Sequence, residues 1–240
     1  DELGALARAI NAMLDTLDTL ARGLARERAR TERLLHNVLP SVIADRLMAD
    51  DGRIADAVPE ATVVFADLVG FTELTRSLPA EALVDLLDEL FRRFDDLAAA
   101  HGVEKVKTIG DAWMGVTGAP VAHPEHAAAA ARFALDALAA VGPFAAERGI
   151  ALNVRIGLHS GPLVAGVIGR SRLGWDVWGD TVNTAARLES SGAPGRVHLS
   201  EALARRLEAH FLVEWRDEVR LKGLGALQTA WLIAPRAPTA

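Results

Sequence analysis

Two aspartates stand where a chain presents carboxylates to a ligand. Asp67 follows a β-branched and aromatic run over residues 62–66, and Asp111 lies in the Gly110-Asp111 turn between two short apolar runs. Strand ends and turns are where a rigid scaffold holds reactive side chains against solvent. Two carboxylates so placed suit a hard divalent cation, which takes oxygen ligands and leaves other positions to water and phosphate. Either aspartate alone would serve equally well as a turn or cap residue. The segment after Asp67, Leu68-Val69-Gly70-Phe71-Thr72, can offer main-chain N–H groups and a helix start to phosphate oxygens. No Gly-x-x-x-x-Gly-Lys-Ser/Thr loop exists in the chain, which excludes a P-loop NTPase. Asn183 and Arg187 are four residues apart and share one face of a helix expected over 181–189. His123 and His126 are spaced as a ligand pair but read as surface residues at a helix start, and His159 reads as a packing residue.

The elements that must carry these groups alternate from about residue 61. A buried strand over 62–66 precedes a long amphipathic helix opened by Pro79 and ended by Gly102. Strands 105–109 and 112–116 pair across Gly110-Asp111, a hairpin signal. A helix over 123–147 follows, then strands 152–159 and 163–168 with Gly161-Pro162 as the turn between them. The helix over 181–189, a strand near Val197, a short helix from Ser200 and two closing strands complete the pattern. Hairpin-paired strands with helices between them predict an α+β sandwich, an antiparallel sheet with flanking helices.

The first thirty-odd residues differ in texture. Leu3, Leu6, Ile10, Met13 or Leu14, Leu17, Leu20 and Leu24 recur at steps of three and four, the seam of a helix packing on another helix. The stripe suits a helix lying on its own domain or a parallel coiled coil with a second copy of the chain. Its Arg-, Asp- and Glu-rich remainder, with no second helix close behind, makes the coiled coil the expectation. Pro40 then suits the first turn of a second helix over 41–48, which Asp50, Asp51 and Gly52 close.

Composition narrows the field. The formal charge of -6 argues against a general nucleic-acid binder. The absence of cysteine removes disulfides, zinc-thiolate sites and thiol nucleophiles. The most apolar long run, residues 127–146, contains Arg132 and Asp136 and reads as a helix of a water-soluble domain rather than a membrane span. The chain opens at Asp1 without a methionine or a signal peptide, the expectation for a piece of a longer protein.

Five ordered segments carry a family resemblance. Phe65-Ala-Asp-Leu-Val-Gly-Phe-Thr72 and Lys105-Val-Lys-Thr-Ile-Gly-Asp-Ala-Trp-Met114 resemble the two metal-binding segments of class III adenylyl and guanylyl cyclases. Asn153-Val-Arg-Ile-Gly-Leu-His-Ser-Gly161, Asp176-Val-Trp-Gly-Asp-Thr-Val-Asn-Thr-Ala-Ala-Arg-Leu-Glu189 and Leu221-Lys-Gly-Leu-Gly225 resemble three more, in the family's order. The resemblance implies a ferredoxin-like sheet over 61–235. It also implies an enzyme that closes ATP to cyclic AMP with two divalent ions, Mg²⁺ or Mn²⁺. It assigns Asp67, Leu68 and Asp111 to the metals. Gly70, Phe71, Thr72, Arg155 and Lys222 go to phosphate, and Asn183 and Arg187 to the ribose and the reacting phosphate. Lys107 and Asp176 are placed against the base, where guanylate cyclases carry Glu and Cys. A donor-only lysine and an acceptor-only aspartate complement N1 and the 6-amino group of adenine, whereas guanine reverses both. The family builds each site across a dimer, so a homodimer with two working sites is expected. Residues 1–25 resemble the last helix of a HAMP signalling domain, and 26–60 a helical transducer. The parent protein is therefore expected to be membrane-anchored through upstream segments, with this part on the cytoplasmic side.

Overall fold

The computed structural model describes residues 2–49, 52–169, 173–221 and 223–237. Two units are resolved, one ending at Ile54 and the other starting at Ala55. The first contains α1 (Glu2–His36) and α2 (Ser41–Met48). Pro40 immediately precedes α2, where its missing N–H costs no helical bond. The stripe predicted on α1 is present and exposed at every described position from Leu6 to Leu24. The Leu3 side chain, Asp50 and Asp51 lie outside the described residues.

In the second unit the chain runs β1 (Ala55–Val69), α3 (Phe71–Ser77), α4 (Ala80–His101), β2 (Glu104–Ile109), β3 (Ala112–Thr117), α5 (His126–Arg148), β4 (Asn153–Ile168) and β5 (Gly174–Trp178). It continues through α6 (Asp180–Ser190), β6 (Arg196–Ser200), α7 (Glu201–Leu207), β7 (Phe211–Trp215), β8 (Val219–Leu221), β9 (Gly225–Leu227) and β10 (Thr229–Pro235). One sheet has the order β2-β3-β1-β4-β6-β10-β7, with β5 paired to the far end of β4. All its pairings are antiparallel except β4 with β6. This is the expected α+β architecture.

Alternation along the two central strands sorts the layers. Val64, Ala66 and Leu68 on β1, with Val154, Ile156 and Leu158 on β4, are buried with α4 and α5 in the main core. Phe94, Trp113 and Phe133 pack there edge-on and tilted, with centroids 4.9 to 6.5 Å apart. α5 is the one described helix long and apolar enough to suit a bilayer, and it is a core helix of this unit. The intervening residues, among them Asp67, Arg155 and Gly157, point to the opposite face. There α6 lies on β4 and β1.

Three local expectations are corrected. Gly161-Pro162 is not a turn, because β4 runs unbroken from Asn153 to Ile168. Its register with β1 shifts between Val58 and Ala61, so Pro162 falls opposite the irregularity, where no ladder bond needs its absent N–H. The closing part has four strands rather than two: β7 and β10 join the sheet, while β8 and β9 form a separate two-stranded arm. His126 is buried rather than superficial, with Nδ1 2.7 Å from Thr62 Oγ1. It makes no ligand pair with His123, which instead accepts the Glu125 N–H. His159 behaves as expected, held 2.7 Å from Ser200 Oγ with its pKa pushed down by burial.

Candidate active site

Asp67 ends the buried stretch of β1 and pairs with Ala112, the residue after Asp111, so the hairpin brings the two carboxylates together. On the other side Asp67 pairs with Arg155 of β4, whose Nη2 donates to Asp67 Oδ2 at 2.6 Å. Arg155 Nε donates at 2.5 Å to Glu189 Oε1 on α6. Two carboxylates thus flank one guanidinium, and the Asp111 charge acts on both of them. Burial pushes the Asp67 carboxyl up; Arg155 opposes this and the neighbouring Asp111 charge adds to it. Glu189 is raised chiefly by burial as well. Burial works against the Arg155 charge, but Glu189 and Asp67 outweigh it and hold the guanidinium firmly charged. Uncompensated negative charge in a half-buried cleft fits the binding of a divalent cation. Among the described residues no cluster of three or more acidic or histidine side chains forms a ready cage, so water and substrate oxygens would complete the shell. The Leu68 side chain is buried in the core, which leaves only its main chain for such a role.

Gly70 caps α3 with φ 95°, and a Cβ there would sit 2.8 Å from the Ala151 carbonyl oxygen. The left-handed turn and the close approach both demand glycine. It turns the chain sharply past Asp67 into Phe71, which packs on the core, and Thr72, which is exposed. The first amides of a helix have no intrahelical acceptor, so this turn can donate to an anion.

Lys107 on β2 and Asp176 on β5 meet directly, with Nζ 2.5 Å from Oδ2. Asp176 Oδ1 also accepts the N–H of Val177, which fixes the carboxylate plane. One donor and one acceptor are therefore presented side by side.

α6 carries Asn183, exposed and with no side-chain hydrogen bond among the described residues, and the half-buried Arg187. A Cβ on Gly223, in the turn of the β8–β9 arm, would lie 3.5 Å from Arg187 Nη2. Lys222 lies outside the described residues. The structure thus assembles Asp67, Asp111 and Arg155 in one group and Lys107 with Asp176 in another. No hydrogen bond or ion pair among the described residues links either group to Asn183 or Arg187.

α6 is keyed to β4 by two glycines. A Cβ on Gly157 would fall 2.2 Å from the Glu189 nitrogen and 2.6 Å from the Ala185 oxygen, and one on Gly161 2.8 Å from Thr181 Oγ1. Four strand residues span about 13 Å and eight helical residues about 12 Å. Helix and strand therefore match in length between the two notches. Glu189 and Gly157 were not assigned roles from sequence. The available signal was Arg155 itself: a cation inside an apolar strand requires a carboxylate opposite it.

Comparison with known proteins identifies this arrangement. The family described as "Adenylate and Guanylate cyclase catalytic domain" matches residues 54–234. The chain belongs to that family. An adenylate cyclase of Mycobacterium tuberculosis is 43% identical over 208 residues, 86% of this chain and 47% of that protein. Mouse retinal guanylyl cyclase 1 is 41% identical over 216 residues, 88% of this chain and 20% of its own length. The chain thus spans half or less of these relatives. The guanylate cyclase domain of RhGC from Catenaria anguillulae, solved with GTP, superposes with a TM-score of 0.73 at 39% identity, covering 75% of this chain and 100% of that one. Relatives of both base preferences match this cyclase-family domain.

Proposed function

We propose that the domain is an adenylate cyclase, converting ATP to 3′,5′-cyclic AMP and pyrophosphate. The Lys107–Asp176 pair carries this reading. The two side chains satisfy each other across 2.5 Å; an adenine edge offers an acceptor to the lysine and an amino donor to the aspartate. Guanine would leave both unpaired, at about 1–3 kcal/mol each, enough for about hundredfold discrimination.

Asp67 and Asp111 would hold two divalent ions, Mg²⁺ or Mn²⁺. When bound, these acidify the ribose 3′-hydroxyl and neutralise the triphosphate. The chain's own groups do the rest. Asn183 orients the ribose through its amide. Arg187 places its guanidinium against the charge that grows on the α-phosphate during in-line attack. Arg155, the Gly70–Thr72 turn and Lys222 hold the phosphate tail. Arg155 can release Asp67 to a metal ion while Glu189 keeps its Nε in place.

In this reading the domain works as a homodimer. One copy supplies Asp67, Asp111 and Arg155, and its partner supplies Lys107, Asp176, Asn183, Arg187 and Lys222. The exposed stripe of α1 supports a parallel coiled coil with the same second copy. A chain carrying Leu17→Lys and Leu20→Lys should then associate about tenfold more weakly by sedimentation equilibrium; unchanged association would remove the coiled coil. Residues 1–25 as the end of a HAMP domain, 26–60 as a transducer, and attachment to the cytoplasmic face of a membrane through upstream segments complete the proposal. The deciding assay is turnover of ATP and GTP by the purified chain: cyclic AMP should dominate, and a preference for GTP would overturn the base assignment.

A further inference from the structure

The last carbonyls of a helix have no partner within it and must be satisfied from outside. At the end of α6 the Arg187 carbonyl takes the Ser191 N–H at 3.0 Å and the Glu189 carbonyl takes the Gly192 N–H at 2.8 Å. Between them, the Leu188 carbonyl oxygen lies 2.8 Å from His198 Nδ1 on β6. Ser191 Oγ adds a longer contact at 3.3 Å.

The tautomer of His198 follows from its other side. Arg216 Nη1 is 3.0 Å from His198 Nε2, and a guanidinium can only donate. Nε2 must therefore accept, which leaves the hydrogen on Nδ1, facing Leu188. The ring is fully buried and lies tilted against Trp231, its cross-strand neighbour on β10, at 4.8 Å between centroids. The Arg216 guanidinium in turn covers Trp231 at 4.1 Å. Burial pushes the His198 pKa down to about 4, so the ring stays neutral near pH 7.

We propose that His198 is a positioning residue: its Nδ1–H pins the Leu188 carbonyl and so fixes the turn of α6 from which Arg187 and Glu189 serve the site. Leu188 sits between the two. On one side Arg187 meets the reacting phosphate; on the other Glu189 holds Arg155 beside Asp67. One hydrogen bond from β6 thus sets both. The catalytic part of this inference rests on the cyclase reading, whereas the pinning of the turn does not.

The test uses the full chain with Mn²⁺ and ATP, and hydrogen–deuterium exchange across residues 180–191. His198→Leu should lower kcat about tenfold to a hundredfold at similar KM, the loss expected when reacting groups are misplaced by about an ångström. The last amides of α6 should exchange about fivefold faster, as for one lost hydrogen bond. His198→Asn keeps a donor near the Nδ1 position and should recover most of both. Arg216→Met leaves the ring in the core without dictating its tautomer, and should lose part of both even if His198→Leu fails to fold. Wild-type kcat and exchange in both His198→Leu and Arg216→Met, or an Asn variant no better than Leu, would overturn the proposal. Wild-type chain that forms no cyclic nucleotide from ATP or GTP would sink the cyclase reading instead, and the exchange data would still decide whether His198 holds the turn.

Discussion

Asp67 and Asn183 stand on opposite terms with the chain that carries them. Asp67 is half-buried and bonded to Arg155 within its own copy, while the neighbouring Asp111 charge leaves the cluster with an excess of negative charge. Asn183 is exposed on α6, with no side-chain partner among the described residues. A lone copy finishes the carboxylate end and offers the α6 end outward. The difference is what the proposed homodimer requires, with each end completing its chemistry with the other end of a second molecule.

The strongest way to break that contrast is complementation. Asp67→Ala and Asn183→Ala should each lower cyclic AMP formation by at least about a hundredfold. A heterodimer of the two should recover up to about half the activity of a wild-type dimer, since one of two sites is then intact, so an equal mixture that pairs at random should reach about a quarter. A mixture that stays dead, from variants that fold and dimerise, would dismiss the shared site. The combined variant Lys107→Glu with Asp176→Cys sharpens the base assignment: the ratio of ATP to GTP kcat/KM should fall about a hundredfold, and an unchanged ratio would contradict it. A third measurement addresses the footing of α6. His198 is neutral in the fold down to about pH 4, while the unfolded ring takes a proton near its ordinary 6.5. The unfolded state therefore binds more protons between these values, and stability should fall as pH drops from 6.5 to 4, by about 3 kcal/mol at most. His198→Asn should flatten this slope in urea melts. The smallest effect is expected for Gly157→Ala, whose methyl would press on the Glu189 and Ala185 main chain. It should cost about 1–3 kcal/mol in a denaturant melt, and wild-type stability would show that α6 is not notched into β4.

Much of this was legible in the chain. Gly102 ends α4 in the left-handed conformation, and Gly110-Asp111 turns the β2–β3 hairpin, because both signals are local. The two carboxylates proposed to hold metal ions, Asp67 and Asp111, were visible for the same reason: each follows a short apolar strand. What escaped was decided by partners distant in sequence. Gly161-Pro162 looks like a turn until an irregularity in β1 absorbs the missing N–H. His126 looks superficial until Thr62, 64 residues away, supplies its hydrogen bond. Glu189 reads as one more helical charge until β4 sets Arg155 beside it. Lys107 and Asp176, 69 residues apart, came from family likeness alone, and the fold supplies the contact that periodicity never could.

The two glycine notches under α6 have a mechanical consequence. A helix seated on main chain at Gly157 and held through the Thr181 side chain at Gly161 resists sliding and rolling, so Arg187 and Arg155 are expected to travel together. In the proposed homodimer, a signal would then open and shut the site by shifting one copy against the other, with little flexing inside either, much as two halves of a mould are moved.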